Sequence, residues 1–446
     1  MPASSVAAAQ HQDMSKVKDI VACVVDHGRF VHVARTLGEQ YAKVYYTSPE
    51  ERDCPLMRET SVGDGFEEME RVESLWTVSD QVDVAIFPDI GFAGEQWELR
   101  RQGIPVWGCG DAGELEWNKG LFLRELEKSG LEVPPHRIIK GLTNLKLYLK
   151  EEEDKYIKID KHRGDFETMH WTSWDEMEGE LDSYAVRFGP LKEHVIFYVF
   201  DAIETELEDG IDAWRAGGKW PETVLHGMEC KDKAFIGTMA KFSDLPDEVR
   251  CANEAFGHIL DRLTVRGAMK FSTEVRITED KKSFFNDPTC RFGSPPSQGE
   301  CLLIKNLGEI IYRGALDDMV EPETEDDFVV QALVTCSDRD DWRSWRLDEE
   351  VESHLKSAFC CRTDGKLCLA PITEYHSKEA GYLCDTGKTM KAAIESLRDL
   401  KDKLPCELKC EFASLADLLK EIQEAESKGM EFTDQPVPEP ETILEA

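Results

Sequence analysis

Residues 274–294 constrain the fold most: Glu-Val-Arg-Ile-Thr-Glu-Asp-Lys-Lys-Ser-Phe-Phe-Asn-Asp-Pro-Thr-Cys-Arg-Phe-Gly-Ser. Val275 and Ile277 alternate with polar residues, Glu279 to Lys282 form a polar turn, and Phe284-Phe285 resume an apolar run. This is the pattern of a β-hairpin. It returns Glu274 and Asp287 to the same end of neighbouring strands, with Arg291 close behind. Two carboxylates and a cation suit Mg²⁺ carrying a polyphosphate, since magnesium takes few protein oxygens and fills its octahedron with phosphate and water. An ordinary surface hairpin with acidic ends has the same pattern.

The chain has 446 residues, 41% hydrophobic and 32% charged, which is room for two to four domains with sizeable cores. No apolar run approaches the roughly 18 residues that span a bilayer. Residues 1–17 are small and polar, without the charged start and apolar middle of a signal peptide, so a flexible tail and a cytoplasmic location are expected. The 14 cysteines show no recurring CxxC pair and no completing histidines, which reads as reduced, partly buried thiols. A net charge of −36 argues against a nucleic-acid polymer as partner, because phosphate backbones demand a basic surface. It leaves room for a local basic pocket around a small phosphorylated ligand.

Ile20 to Val25 is a near-continuous apolar strand, followed by a turn at Gly28, a helical pattern through Val33, Leu37 and Tyr41, and a strand from Ala42 to Tyr46. That is a βαβ unit of a parallel sheet. Val82–Phe87 and Ile104–Trp107 extend it, giving a doubly wound domain over 18–112. Residues 113–327 mix helices near 113–130, 142–151 and 246–264 with strands at 156–159 and 195–200 and the hairpin. A small α+β unit over 328–424 follows, with strand Phe328–Val334 and a strand–turn–helix from Gly381 to Leu397. The proline-bearing acidic tail, 425–446, is expected to be disordered.

The hairpin resembles that of the ATP-grasp ligases, in which two acids thirteen positions apart hold the magnesium ions of ATP. Glu274 and Asp287 have that spacing. Cys290-Arg291-Phe292-Gly293-Ser294-Pro295-Pro296-Ser297-Gln298 is similar to the Arg-Phe-Gly-Asp-Pro-Glu-Thr-Gln run of the phosphoribosylamine–glycine ligases. Gly103-Ile-Pro-Val-Trp-Gly108 with Leu115-Glu116-Trp-Asn-Lys119, and Tyr156-Ile-Lys158-Ile-Asp160, are similar to further segments of that family, in the same order. The resemblance implies an N-terminal parallel-sheet domain, a two-subdomain ATP-grasp fold over 113–327 and a C-terminal α+β domain. It implies Glu274, Asp287 and Thr289 as metal ligands, with Asn286 able to replace Thr289 if the strand bulges. Lys119 and Lys158 would face phosphates, Asp201 and Ile203 would flank the adenine, and Glu208 would bond the ribose, although Glu204, Glu206 and Asp209 offer alternative alignments. Arg291 and Lys158 would be catalytic, and Gly28, Arg29, Asp160 and Arg291 would touch substrate.

Three loops depart from the family. The first reads Asp26-His27-Gly28-Arg29-Phe30-Val31, where the family has Arg-Glu-His after its glycines. The flap from Lys161 to Thr168 lacks two glycines and a lysine, and Phe235 to Ala240 stands where the family has a glycine-rich loop. The function implied is an ADP-forming carboxylate–amine ligase acting through an acyl phosphate, using ATP and Mg²⁺ (or Mn²⁺) on small-molecule substrates, as a monomer or homodimer. The alternatives are a catalytically silent relative that binds a nucleotide or a partner protein, and a ligase joining an amino acid to a modified nucleotide.

Overall fold

The computed structural model describes residues 14–48, 62–161, 168–203, 207–231, 233–263, 268–337, 341–371 and 378–444. The apolar run after Ile20 forms the centre of a five-stranded parallel sheet. Its order is Glu70–Arg71, Lys43–Thr47, Val21–Val25, Val84–Ile86, Val106–Trp107. Successive strands leave Val21–Val25 first to one side and then to the other, so the order reverses between Val21–Val25 and Val84–Ile86.

Residues 136–201 form a separate antiparallel sheet in the order His136–Lys140, Ile196–Asp201, Lys155–Ile159, Thr168–Trp171. Helices Leu142–Leu149 and Trp174–Phe188 cover one face, burying Leu145, Ile157, Trp171, Leu181, Phe197 and Val199 in a core of their own. The other face carries Ile138, Tyr198 and Lys158, which are cross-strand neighbours.

A nine-stranded sheet carries the hairpin at its edge. It runs Ser283–Thr289, Met269–Ile277, Leu207–Arg215, Thr223–Cys230, Ala234–Lys241, Phe328–Cys336, Glu379–Gly387, Leu355–Ser357, with Leu408–Cys410 also paired to Phe328–Cys336. The boundary expected at 327/328 is therefore no break between sheets. Ala234–Lys241 hydrogen-bonds Phe328–Cys336, and one core joins Val24 and Ile86 to Val330, Leu383 and Leu397. The same pairing corrects the loop expected at Phe235 to Ala240, which is an interior strand whose Phe235 packs with Leu225, Leu303 and Val329.

The C-terminal tail also departs from expectation. Helix Ser414–Ser427 is followed by a segment that buries Met430, Phe432 and Ile443, and residues 441–444 form a helical turn. These apolar residues, spaced among the prolines and acids, give the segment enough buried area to fix it. Of the leader, residues 14–19 form a 3₁₀ turn and the earlier ones lie outside the described residues. No described helix is long and apolar enough to cross a membrane.

Candidate active site

The hairpin forms where the sequence places it. Its turn closes through the Thr278 backbone N–H donating to Lys282 O at 3.0 Å and the Lys281 N–H to Thr278 O at 2.9 Å. Glu274 lies directly opposite Asp287, and the register shifts between Glu274 and Val275, whose partner is Phe285. Asn286 is thus the extra residue of a β-bulge. Its side-chain amide donates to Glu274. Thr289 sits opposite Ser272, two residues along the same face from Asp287.

Four phenylalanines fix this edge to the helix that carries Lys119. Phe256 stacks on Phe285 with ring centroids 4.5 Å apart and on Phe271 at 5.0 Å, and Phe122 packs against Phe256 and Phe285 at 6.3 and 6.0 Å. The single helix expected near 113–130 is broken at Asn118, whose side chain caps Leu121 N–H at 2.9 Å. The break makes Lys119 the first residue of Lys119–Ser129 and aims it at the hairpin. Its Nζ lies 2.5 Å from Asp287 Oδ1, while Lys158, from the separate small sheet, pairs with Oδ2 of the same carboxylate. Residues 168 positions apart in the chain thus meet at one acid. Burial alone would push the Asp287 carboxyl up, but the two ammonium groups outweigh it and hold it far below the carboxylate range.

Beside this triad the charge is reversed. Glu208 shares a hydrogen bond with Glu274, and burial, Glu208 and Asp287 together push the Glu274 carboxyl up to about 8. Arg276, opposite Glu208 in the register, lies 3.1 Å from it. Glu208 therefore belongs to the acidic cluster on strand Leu207–Arg215. Glu208, the candidate ribose contact, is thus held on a strand, 207–215, that pairs along its length with Met269–Ile277. Its rivals Glu204 and Glu206 lie outside the described residues, as do residues 162–167 of the flap.

The other predicted residues are distributed around this cluster. Arg291 donates to Glu116 at 3.1 Å and lies 3.7 Å from Asp89, while Glu116, wholly buried, also accepts from the Cys290 backbone. Asp201 turns its carboxylate to Lys155 at 2.8 Å, leaving the backbone at Ala202 and half-buried Ile203 beyond the strand end. Asp160 has a buried Oδ1 without a hydrogen-bond partner among the described residues. Gly28 adopts φ 93°, which favours glycine, and its carbonyl accepts from Phe359 N–H at 2.7 Å. Arg29 pairs with Glu379 at 3.3 Å. Sequence reasoning missed Glu116 and Asp89 as partners of Arg291. Their only local signal was the position of Glu116 just before Asn118-Lys119.

Among the described residues, no three His, Cys, Asp or Glu side chains are placed to hold a metal ion by themselves. No protein-family profile matches the sequence, and no curated protein matches it significantly. Solved structures do. The chain superposes over 88% of its length on 97% of phosphoribosylamine–glycine ligase from Thermotoga maritima, with TM-score 0.63 and 16% identity. L-amino acid ligase from Bacillus licheniformis matches with TM-score 0.57 and 14% identity, over 88% of this chain and 98% of that one. N5-carboxyaminoimidazole synthase from Aspergillus clavatus, solved with ADP and an aminoimidazole ribonucleotide, matches with TM-score 0.55 and 11% identity over 86% and 98%. The chain has the fold of the ATP-grasp ligases.

Proposed function

We propose that the protein is an ATP-dependent carboxylate–amine ligase that releases ADP. One observation carries this reading: Lys119 and Lys158, from two different structural units, converge on Asp287 beside Glu274. Two cations and two carboxylates in one cleft are what a magnesium–nucleotide complex needs. The residues fit the metal. The carboxyl of Glu274 is driven up by burial and by neighbouring acids, so the cluster has an excess of negative charge that a divalent cation relieves. Glu274 and Asp287 would hold Mg²⁺ with phosphate oxygens completing its shell, and the ion would shield the phosphate charge.

The chain's own residues supply position and charge. Lys119 and Lys158 give the phosphates a positive wall. Arg291, locked by Glu116 and Asp89, presents a fixed cation behind the hairpin. The backbone at 201–203 is the candidate adenine contact, and Gly28, Arg29 and Asp160 are candidate substrate contacts. A substrate carboxylate attacks the γ-phosphorus, breaking its bond to the β-phosphate oxygen, to give an acyl phosphate and ADP. An amine then displaces phosphate to give the amide.

ATP with Mg²⁺ raises the melting temperature on this reading, by mass action on the folded state. ADP and phosphate then form in the presence of a carboxylate and an amine, with phosphoribosylamine plus glycine and free amino acids as the first pairs. Turnover with the first pair would assign a purine-pathway role. AMP and pyrophosphate as products would refute the acyl phosphate. A nucleotide-binding protein without turnover is the second reading, favoured by the interior strand at Phe235 to Ala240 where the family has a glycine-rich loop. It predicts the ATP shift with no ADP.

A further inference from the structure

In the parallel sheet, the loops after Val21–Val25 and Val84–Ile86 meet where the strand order reverses, the place where open α/β sheets receive ligands. The first loop supplies Asp26 and the second Asp89. Asp26 is fully buried. Its Oδ2 accepts from the Phe30 N–H at 2.8 Å and the Tyr46 hydroxyl at 2.9 Å, while its Oδ1 has no hydrogen-bond partner among the described residues. Burial, and then the charge of Asp89, push the Asp26 carboxyl up to about 6. Asp89, its side chain 14% exposed, connects the pair to solvent.

Among the described residues, the two arginines of this crevice are already matched. Arg29 pairs with Glu379, and Arg291 with Glu116 and Asp89. An entering phosphate would have to displace carboxylates from both arginines and then face Asp26, a buried like charge. An ammonium would supply the donor that Asp26 Oδ1 lacks among the described residues and would relieve the repulsion between Asp26 and Asp89.

We propose that this crevice receives the amine substrate as an organic ammonium without a phosphate group, with Asp26 and Asp89 as its carboxylate partners. The word substrate rests on the ligase reading, but the binding site does not. His27, stacked on Phe92 at 4.4 Å, forms one flank.

The test is thermal melting of the full chain with glycinamide, inorganic phosphate or ribose 5-phosphate at matched ionic strength, with and without ADP and Mg²⁺. Glycinamide raises the melting temperature at millimolar concentration, and the two phosphates do not. Asp89→Asn raises the half-saturating glycinamide concentration at least ~10-fold, equivalent to about 1.4 kcal/mol. Asp26→Asn gives a second measurement in case Asp89→Asn fails to fold. The proposal is overturned if ribose 5-phosphate stabilises the wild type, if glycinamide does not, or if the folded variants bind glycinamide as the wild type does. A missing shift with ADP and Mg²⁺ would instead count against the ligase reading.

Discussion

Asp287→Asn should destabilise the nucleotide-free protein, although the residue belongs to the candidate active site, where substitutions often stabilise. Lys119 and Lys158 keep only 5% and 11% side-chain exposure, and Asp287 is their shared counter-ion. Each contact is worth about 5 kcal/mol gross at ~3 Å and an effective dielectric of ~20, before desolvation is subtracted. Removing one partner of a buried pair costs about 3–5 kcal/mol net. Asp287 retains 28% exposure, so the low end applies, ~3 kcal/mol. With an unfolding entropy of about 2.1 cal/mol/K per residue over 446 residues, the melting temperature falls by ~3 °C. The pH dependence gives an independent readout. A carboxyl held below its unfolded value contributes stability above about pH 4 and loses it as pH falls further. The wild type therefore loses stability on acidification below pH 4 by an amount that the Asn variant does not. Adding Lys158→Met to Asp287→Asn removes one of the two uncompensated ammonium groups and recovers at least ~1 kcal/mol, a coupling that a double-mutant cycle reads directly. A melting temperature for Asp287→Asn at or above that of the wild type, or parallel acid limbs, would show that the carboxylate does not pin the two lysines.

Glu274 gives the opposite pH signature. Its folded value of about 8 lies above the unfolded one, so the folded state binds the proton more tightly and stability falls as pH rises from about 4.5 to about 8. Glu274→Gln should flatten that slope in melts across this range, and ATP with Mg²⁺ should flatten it in the wild type. Phe256→Ala opens a cavity between Lys119's helix and the hairpin and should cost about 3–5 kcal/mol in urea unfolding. Phe432→Ala, which removes the ring packed 4.9 Å from His226, should cost ~3 kcal/mol, whereas a disordered tail would show no change.

What was readable from sequence was local. The hairpin announced itself through alternation and a polar turn, and the parallel sheet through apolar runs separated by a helical period. The pairing of strands did not, because an apolar run such as Phe328–Cys336 says that it is buried but not which strand it bonds. Ala234–Lys241 hid for a similar reason: Gly237 and Thr238 interrupt the run, and only the Gly237 opposite Val329 and Gly227 shows it to be an interior strand. The alignment of the acids around Glu208 stayed open in the sequence because they occupy both faces of the strand. Glu208 and Asp212 point to the site side, and Asp209 to the other, where it meets buried His226 at 2.6 Å.

The positions of the charges matter more than their number. At the hairpin, one carboxylate holds two lysines and a second is left crowded by a third acid. At the parallel sheet, both arginines are matched and a buried aspartate oxygen is not. The first arrangement has cations that phosphates can take over from Asp287. Among the described residues, the second has no arginine that a phosphate can take without stranding a carboxylate, and it has a buried acceptor without a donor. One molecule with a polyphosphate and another with an ammonium satisfy both places, and a ligase that joins a phosphorylated carboxylate to an amine handles that pair. If ribose 5-phosphate proved the better ligand at the sheet, Asp26 would have to be protonated and Asp89 turned away. Binding would then strengthen as pH falls through about 6, whereas ammonium binding weakens over the same range.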